Sequence, residues 1–397
     1  MIPKQKKYTY LIVGAGIAGL SAVKKIRKLD IKSSILIITD EDRLPYKRTK
    51  INKSIAKGFE KEEFQLFDAK WYNENNVELC YTKAVRLTLA EKEMELSRQA
   101  KVTYGKLLLS QGSKPYIPKI NGLDEQKTHA VHFAGQVEKL RNEVETKHKI
   151  LIVGGSVEGL ETANQFIKMG KEVTVVERNQ NPLSRFFPSE LAKQIVSDLH
   201  TDGVDYFDNF HLSELNRNAK GQYQLQSPKG MQEFDTVVVC AGTQPDIQLA
   251  KLAGIKTERG ICVNEFMQTS DVHVFAAGDV AQHPDGSVTG LWHSAEYQGF
   301  CAGENMVAYG MAYQPVPQRL KTSLFGGFYF SANFSRSKEL NVKTITEKQE
   351  NLFREFYIKD GKVQGLVMAN DKERDKLYQK AVAENWSVDE IHSKIPW

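Results

Sequence analysis

Runs of apolar residues punctuate the first part of the chain. Tyr8 to Val13 and Ile150 to Val153 read as strands buried on both faces. Ser34 to Thr39, Val173 to Val176, Tyr104 to Ser110 and Thr236 to Ala241 read as further strands, and Val272 to Asp279 as one ending in an acid. Helical spacing follows two of them, at Leu20, Val23 and Ile26 and again at Leu160, Ala163 and Phe166. A strand, a helix and a second strand, written twice, predict an α/β protein with two Rossmann-like units. A later helical stretch runs from about Ser294 to Tyr309. From about Gln318 the pattern changes. Leu352 to Ile358 and Lys362 to Met368 read as a hairpin turning at Asp360-Gly361, and Glu373 to Glu384 has helical composition. The tail is expected to be a small α+β domain.

Each buried run opens into a glycine-rich turn. The first is Gly14-Ala15-Gly16-Ile17-Ala18-Gly19 and the second Gly154-Gly155-Ser156-Val157-Glu158-Gly159. Each is followed, roughly 20 residues on, by a strand ending in an acid: Asp40 after the first and Glu177 after the second. Glycine lets backbone approach a pyrophosphate, a helix N-terminus offers free N–H groups and positive dipole charge, and the carboxylate accepts from ribose hydroxyls. Two such sites in one chain suggest electron transfer between two nucleotide cofactors. Ser156 stands where the first turn has its middle glycine, which narrows the approach.

Two breaks set the domain order. Lys114-Pro115-Tyr116-Ile117-Pro118 and Thr243-Gln244-Pro245-Asp246 interrupt the pattern, so the chain is expected to leave its first domain, build a second and return. The boundaries predicted are 1–118 with 246–317 for the first domain, 119–245 for the second and 318–397 for the third.

The 397 residues carry a net charge of +5, with lysine and glutamate interleaved and no arginine-rich arm, which argues against nucleic acid binding. An acidic protein partner stays open. Neither a membrane span nor a signal peptide is expected, because no apolar stretch is long enough and the basic start lacks an apolar core. Cys80, Cys240, Cys262 and Cys301 are widely spaced, which suggests neither a local redox disulfide nor a metal site and fits a reducing cytoplasm.

Five motifs in this order resemble the flavoprotein reductases with two dinucleotide-binding domains: NADH:rubredoxin reductases, oxygenase-type ferredoxin reductases, the flavin domain of NADH-dependent nitrite reductase and apoptosis-inducing factor. The motifs are Gly14 to Gly19, Leu44-Pro45-Tyr46-x-Arg48 with Lys53, Leu107 to Gly112, Gly154 to Glu161, and Ala276-Ala277-Gly278-Asp279-Val280. The resemblance implies FAD on the first unit and NADH on the second. It would place Gly14, Gly16, Gly19, Asp40, Glu41, Arg48, Lys53, Ala84, Gly112, Gly278, Asp279 and Trp292 at FAD. Within that set Asp279 meets a ribityl hydroxyl, Ala84 the adenine and Trp292 the isoalloxazine. It would place Gly154, Gly155, Ser156, Gly159, Glu177 and Gly242 at NADH. Lys53 and Glu161 would form the catalytic pair beside the flavin N5. A salt bridge between them is expected.

The chain departs from its relatives in two places. Leu44 to Lys53 holds no cysteine, which argues against the disulfide reductases and cysteine-dependent peroxidases of this fold. Leu324-Phe325-Gly326-Gly327-Phe328 replaces the tryptophan-serine-aspartate-glutamine segment of oxygenase-type ferredoxin reductases, leaving the rubredoxin- and nitrite-reductase side nearer. The resemblance thus implies hydride uptake from NADH and electron delivery to a small, acidic redox protein. Lys321, Arg336, Lys338 and Lys343 are the cations expected to line its docking groove. The alternatives are an NADH oxidase, a nitrite-reductase-type flavin reductase, or an NADH-sensing flavoprotein that acts by interaction. A homodimer stays open.

Overall fold

The computed structural model describes residues 3–58, 64–338 and 341–396, with the side chains of Ser335 and Arg336 excepted. The chain divides into two compact units. One comprises Met1–Lys50, Glu60–Lys114 and Thr243–Val316, the other Ile51–Phe59, Pro115–Gly242 and Pro317–Trp397.

In the first unit the central strand Lys7–Val13 lies between Ile35–Thr39 and Lys101–Leu109, parallel to both. Val77–Tyr81 extends the sheet on one side. The antiparallel strands Glu93–Leu96 and Ala84–Thr88 follow Lys101–Leu109 on the other, and Val274–Ala276 also pairs with Lys101–Leu109. Val13 is opposite both Ile38 and Leu109, and Leu109 is opposite Ala276. Gly14, Asp40, Ser110 and the segment from Ala277 to Asp279 therefore emerge at one carboxyl edge, where open α/β sheets bind ligands.

Two helices lie together over this unit, Ile17–Leu29 and Trp292–Val307. A β-carbon on Gly299 would meet the Ala18 carbonyl oxygen at 2.0 Å, and one on Gly303 the Ala22 carbonyl oxygen at 2.5 Å. The shared step of four residues makes the helices parallel, so both N-termini face the same way. The second helix begins at Trp292, two residues before the expected start, with extended backbone at Leu291.

The second unit repeats the plan on a smaller scale. Its parallel sheet runs Asp205–Phe207, Glu172–Val176, Lys149–Val153, Thr236–Val239. Val153 lies opposite Val176 and Val239, which brings Gly154, Glu177 and Cys240 to one edge. The two pattern-breaking segments supply the strands Ser113–Pro115 and Thr243–Pro245, which pair with each other.

Residues 318–397 belong to the second unit but carry their own core. An antiparallel sheet runs Arg319–Leu324, Gly327–Ala332, Lys362–Ala369, Leu352–Lys359, Lys343–Gln349. Phe330, Phe356, Leu366, Met368, Tyr378 and Trp386 are buried between this sheet and the helices Asp375–Ala383 and Val388–Lys394. Asp360 and Gly361 both have positive φ, 51° and 72°, as the tightest hairpin turn requires. Phe325 and Gly326 turn the first hairpin in the same way, at 49° and 82°. Arg354 is fully buried at the centre. It pairs with Glu347 at 2.9 Å and donates from Nη1 to the Tyr378 hydroxyl and the Ile395 carbonyl, each at 3.2 Å.

Candidate active site

The two glycine turns share a skeleton and differ in their donors. In each the first glycine has positive φ, 103° at Gly14 and 112° at Gly154, and leaves no space for a β-carbon against the neighbouring strand end. Gly19 and Gly159 sit on the carbonyl oxygens of Gly14 and Gly154, where a β-carbon would come within 2.3 and 2.1 Å. These contacts bring helix onto strand closely, the role expected of the third glycine.

Gly16 is the N-cap of its helix with no side-chain hydrogen bond, and nothing lies within 4 Å of where its β-carbon would be. An uncapped helix N-terminus facing open space suits a pyrophosphate. At the second turn Ser156 is the N-cap and accepts from the Gly159 N–H at 3.2 Å. The Gly155 N–H donates to Glu177 Oε2 at 2.7 Å, while Glu177 Oε1 accepts from the Asn179 N–H and Nδ2 at 2.8 and 2.6 Å. Serine there acts as a cap, and the carboxylate that would meet a ribose is already held in place. Asn179 escaped sequence reasoning, although an amide two residues past a strand-end acid is a natural side-chain turn partner.

Asp40 is exposed at the end of its strand. Next to it, Glu41 accepts from the Tyr46 hydroxyl at 2.6 Å and pairs with Arg48 at 2.6 Å. Arg48 lies over the Tyr46 ring. The Leu44-to-Arg48 motif is thus folded back on Glu41. Asp279 follows Gly278, whose φ is 83°. Burial holds the Asp279 carboxyl above the usual carboxylate range, while the Ser113 hydroxyl, donating at 3.3 Å, and the Arg48 charge pull the other way. Gln298 on the paired helix accepts from the Gly278 N–H at 2.7 Å and so fixes this corner. Ala84 begins its strand opposite Leu96. Gly112, with φ 75°, accepts from the Asp246 N–H at 2.9 Å. Gly242, φ 103°, accepts from the Tyr116 N–H at 2.9 Å. Trp292 is half-buried in the first turn of its helix.

Lys53 and Glu161, 108 positions apart in the sequence, both belong to the second unit. Lys53 Nζ lies 2.9 Å from Glu161 Oε1. Glu161 is 5% exposed. Its Oε1 also accepts from the Thr322 hydroxyl at 2.6 Å, and its Oε2 from Asn52 Nδ2 at 2.7 Å. Neither Asn52 nor Thr322 carries a motif that would single it out in the sequence.

Burial raises all four thiols above their ordinary pKa, Cys301 to about 11 and Cys240 well above it, so none offers a thiolate at neutral pH. No group of three or more histidine, cysteine or acidic side chains with metal-binding geometry occurs among the described residues, and none of their helices is long and apolar enough to cross a membrane. Among the docking cations, Lys321 pairs with Asp375, and Lys338 donates to the Ser184 carbonyl at 3.3 Å. Lys343 is exposed, and the Arg336 side chain lies outside the described residues.

Known proteins resemble the chain over most of its length. The NADH-rubredoxin oxidoreductase of Clostridium acetobutylicum is 26% identical over 390 residues, 98% of each chain. Its crystal structure superposes with a TM-score of 0.78, covering 98% of this chain and 100% of that one. The nitric oxide reductase FlRd-NAD(+) reductase of Klebsiella pneumoniae strain 342 is 26% identical over 367 residues, 92% of this chain and 96% of the relative. The assimilatory nitrate reductase electron transfer subunit of Bacillus subtilis is 24% identical over 376 residues. That match takes in 94% of this chain and 48% of the relative, so the chain spans about half its length. Residues 8–299 match the family model for pyridine nucleotide-disulphide oxidoreductases. The chain belongs to the pyridine nucleotide-disulphide oxidoreductase family.

Proposed function

We propose that the protein is a cytoplasmic FAD-dependent reductase that takes hydride from NADH and passes electrons to a small acidic redox protein of the rubredoxin or ferredoxin kind. The observation that carries this reading is the Lys53–Glu161 pair, whose glutamate lies two residues beyond the last glycine of the second nucleotide turn. Bound FAD supplies the conversion of a two-electron donor into one-electron deliveries.

The protein's own groups bind and orient. Gly14, Gly16 and Gly19 bring the helix N-terminus to the pyrophosphate. Asp40 takes the adenosine ribose, the Ala84 backbone the adenine and Asp279 a ribityl hydroxyl. Gly112, Gly278, Trp292 and the Glu41–Arg48 pair complete that site. Gly154, Gly155, Ser156, Gly159 and Gly242 frame NADH, and Glu177 accepts from its 2′-hydroxyl. Two parallel helices present their positive ends on one side of the first unit, which favours negative charge there. Lys53 supplies a cation and Glu161 is its partner. Hydride transfer needs alignment more than proton transfer, so these two residues position rather than react. With all four thiols held above their ordinary pKa, no thiolate offers a route through a cysteine.

The test is anaerobic reduction by NADH followed by rubredoxin, ferredoxin, quinone and oxygen in turn. Rapid turnover with a carrier protein alone supports the reading. Equal turnover with oxygen makes the protein an oxidase, and failure to retain FAD after reconstitution ends the proposal.

A further inference from the structure

The Lys53–Glu161 pair is held by two neutral donors, one of them contributed by the C-terminal sheet. Glu161 is buried on the helix Val157–Lys168. A buried carboxylate is costly unless its oxygens are satisfied. Lys53 supplies one partner, but its side chain is 42% exposed, so its attraction is screened by water and does little to fix geometry. A carboxylate held by one exposed ammonium can turn about its last bond and swap oxygens. Here it cannot turn without breaking bonds at both ends. Thr322 occupies Oε1 together with Lys53, and Asn52 occupies Oε2.

Both donors are themselves buried. Asn52 is 4% exposed and Thr322 1%. Asn52 directly precedes Lys53 in a short 3-10 turn, so its bond ties the backbone bearing Lys53 to the helix bearing Glu161. Thr322 lies in Arg319–Leu324 opposite Tyr329, whose hydroxyl donates to Asp198 at 2.6 Å on the helix Ser189–Thr201. The sheet is therefore anchored to the nucleotide-binding part of the same unit at a second point.

We propose that Thr322 and Asn52 are positioning residues that hold the Glu161 carboxylate towards Lys53, and that residues 318–397 thereby complete the reaction site of the second unit. The proposal rests on the reductase reading for its catalytic meaning. Thr322 lies beyond the residues matched by the family model, which end at 299.

The experiment uses the full-length protein, flavin-loaded and flavin-stripped, as Thr322→Val, Thr322→Ser, Asn52→Leu and Glu161→Gln. Valine keeps the shape of threonine in a strand and removes only the hydroxyl; serine returns it. The first readout is the rate at which an amine-reactive reagent modifies Lys53, followed by peptide mass spectrometry against the other lysines. Loss of one anchoring bond should raise it by about threefold to tenfold in Thr322→Val and Asn52→Leu, as expected for one net hydrogen bond, with Thr322→Ser near wild type. The second readout is the rate of flavin reduction at saturating NADH, expected to fall by a similar factor while the NADH KM stays nearly constant. Unchanged Lys53 labelling in Thr322→Val, with raised labelling in Glu161→Gln, overturns the inference. Labelling that rises as expected while Glu161→Gln reduces flavin at the wild-type rate upholds the positioning and removes the reductase reading on which its catalytic meaning rests.

Discussion

Gly299 rests directly on the Ala18 backbone, so closely that a β-carbon would fall 2.0 Å from its carbonyl oxygen. That contact sets the distance between the helix that opens at the first glycine turn and the helix that opens at Trp292. Gly299→Ala must push the helices apart. It should cost about 1–3 kcal/mol by overpacking and weaken FAD retention along with stability. Gly135 is the control: it lies in a helix with nothing within 4 Å of its β-carbon position, so Gly135→Ala should leave the unfolding midpoint unchanged or raise it. Thermal unfolding with and without FAD compares the two variants, and equal midpoints would refute the packing argument.

Glu161→Ala should retain FAD and slow its reduction by NADH by roughly 10- to 100-fold, because a small misplacement of aligned groups carries that kind of penalty. Rapid-mixing absorbance at the flavin band, together with cofactor content after denaturation, separates slow transfer from lost cofactor. Full-speed reduction would remove Glu161 from the reaction.

NADH should give a higher kcat/KM than NADPH. Glu177 would accept from a 2′-hydroxyl and repel a 2′-phosphate. Arg178, adjacent in sequence, would soften the repulsion. Glu177→Ala should lower the NADH-to-NADPH ratio by about tenfold or more, the scale of one hydrogen bond to a charged group. A wild-type preference for NADPH would refute the assignment.

Reduction of an acidic carrier should slow as ionic strength rises from low to moderate, while reduction of ferricyanide serves as the small-molecule control. Lys321 is already compensated by Asp375 and Lys338 is bound to a backbone carbonyl, so Lys343 is the exposed cation of choice for charge reversal. A carrier rate that stays flat with salt would dismiss electrostatic docking.

Much of the scaffold is legible in the chain because it rests on local rules. Apolar runs ending in glycine or acid marked the parallel strands, and Asp360-Gly361 announced its hairpin, because both turn positions need positive φ that aspartate and glycine tolerate. The hairpin at Phe325-Gly326 gave no such signal. Phenylalanine ordinarily avoids that conformation, and here its burial offsets the strain. The Lys53–Glu161 contact could be anticipated only through resemblance, since no spacing rule joins positions 108 apart. Asn52, Thr322 and Asn179 stayed hidden because each acts through a carboxylate's hydrogen-bonding geometry, which ordinary polar residues do not advertise.

The first unit is assembled from chain segments that are synthesised far apart in time. Its strand Lys101–Leu109 gains the neighbour Val274–Ala276 only after the whole inserted segment 115–242 has been made, and the helix Ile17–Leu29 waits for Trp292–Val307. At ordinary ribosomal speeds that delay is on the order of ten seconds or more. Until then the nascent Gly14 turn has no companion helix and Asp279 does not yet exist. Cofactor capture should accordingly be a late event, and ribosome-bound chains arrested before residue 274 should release FAD that the finished protein keeps.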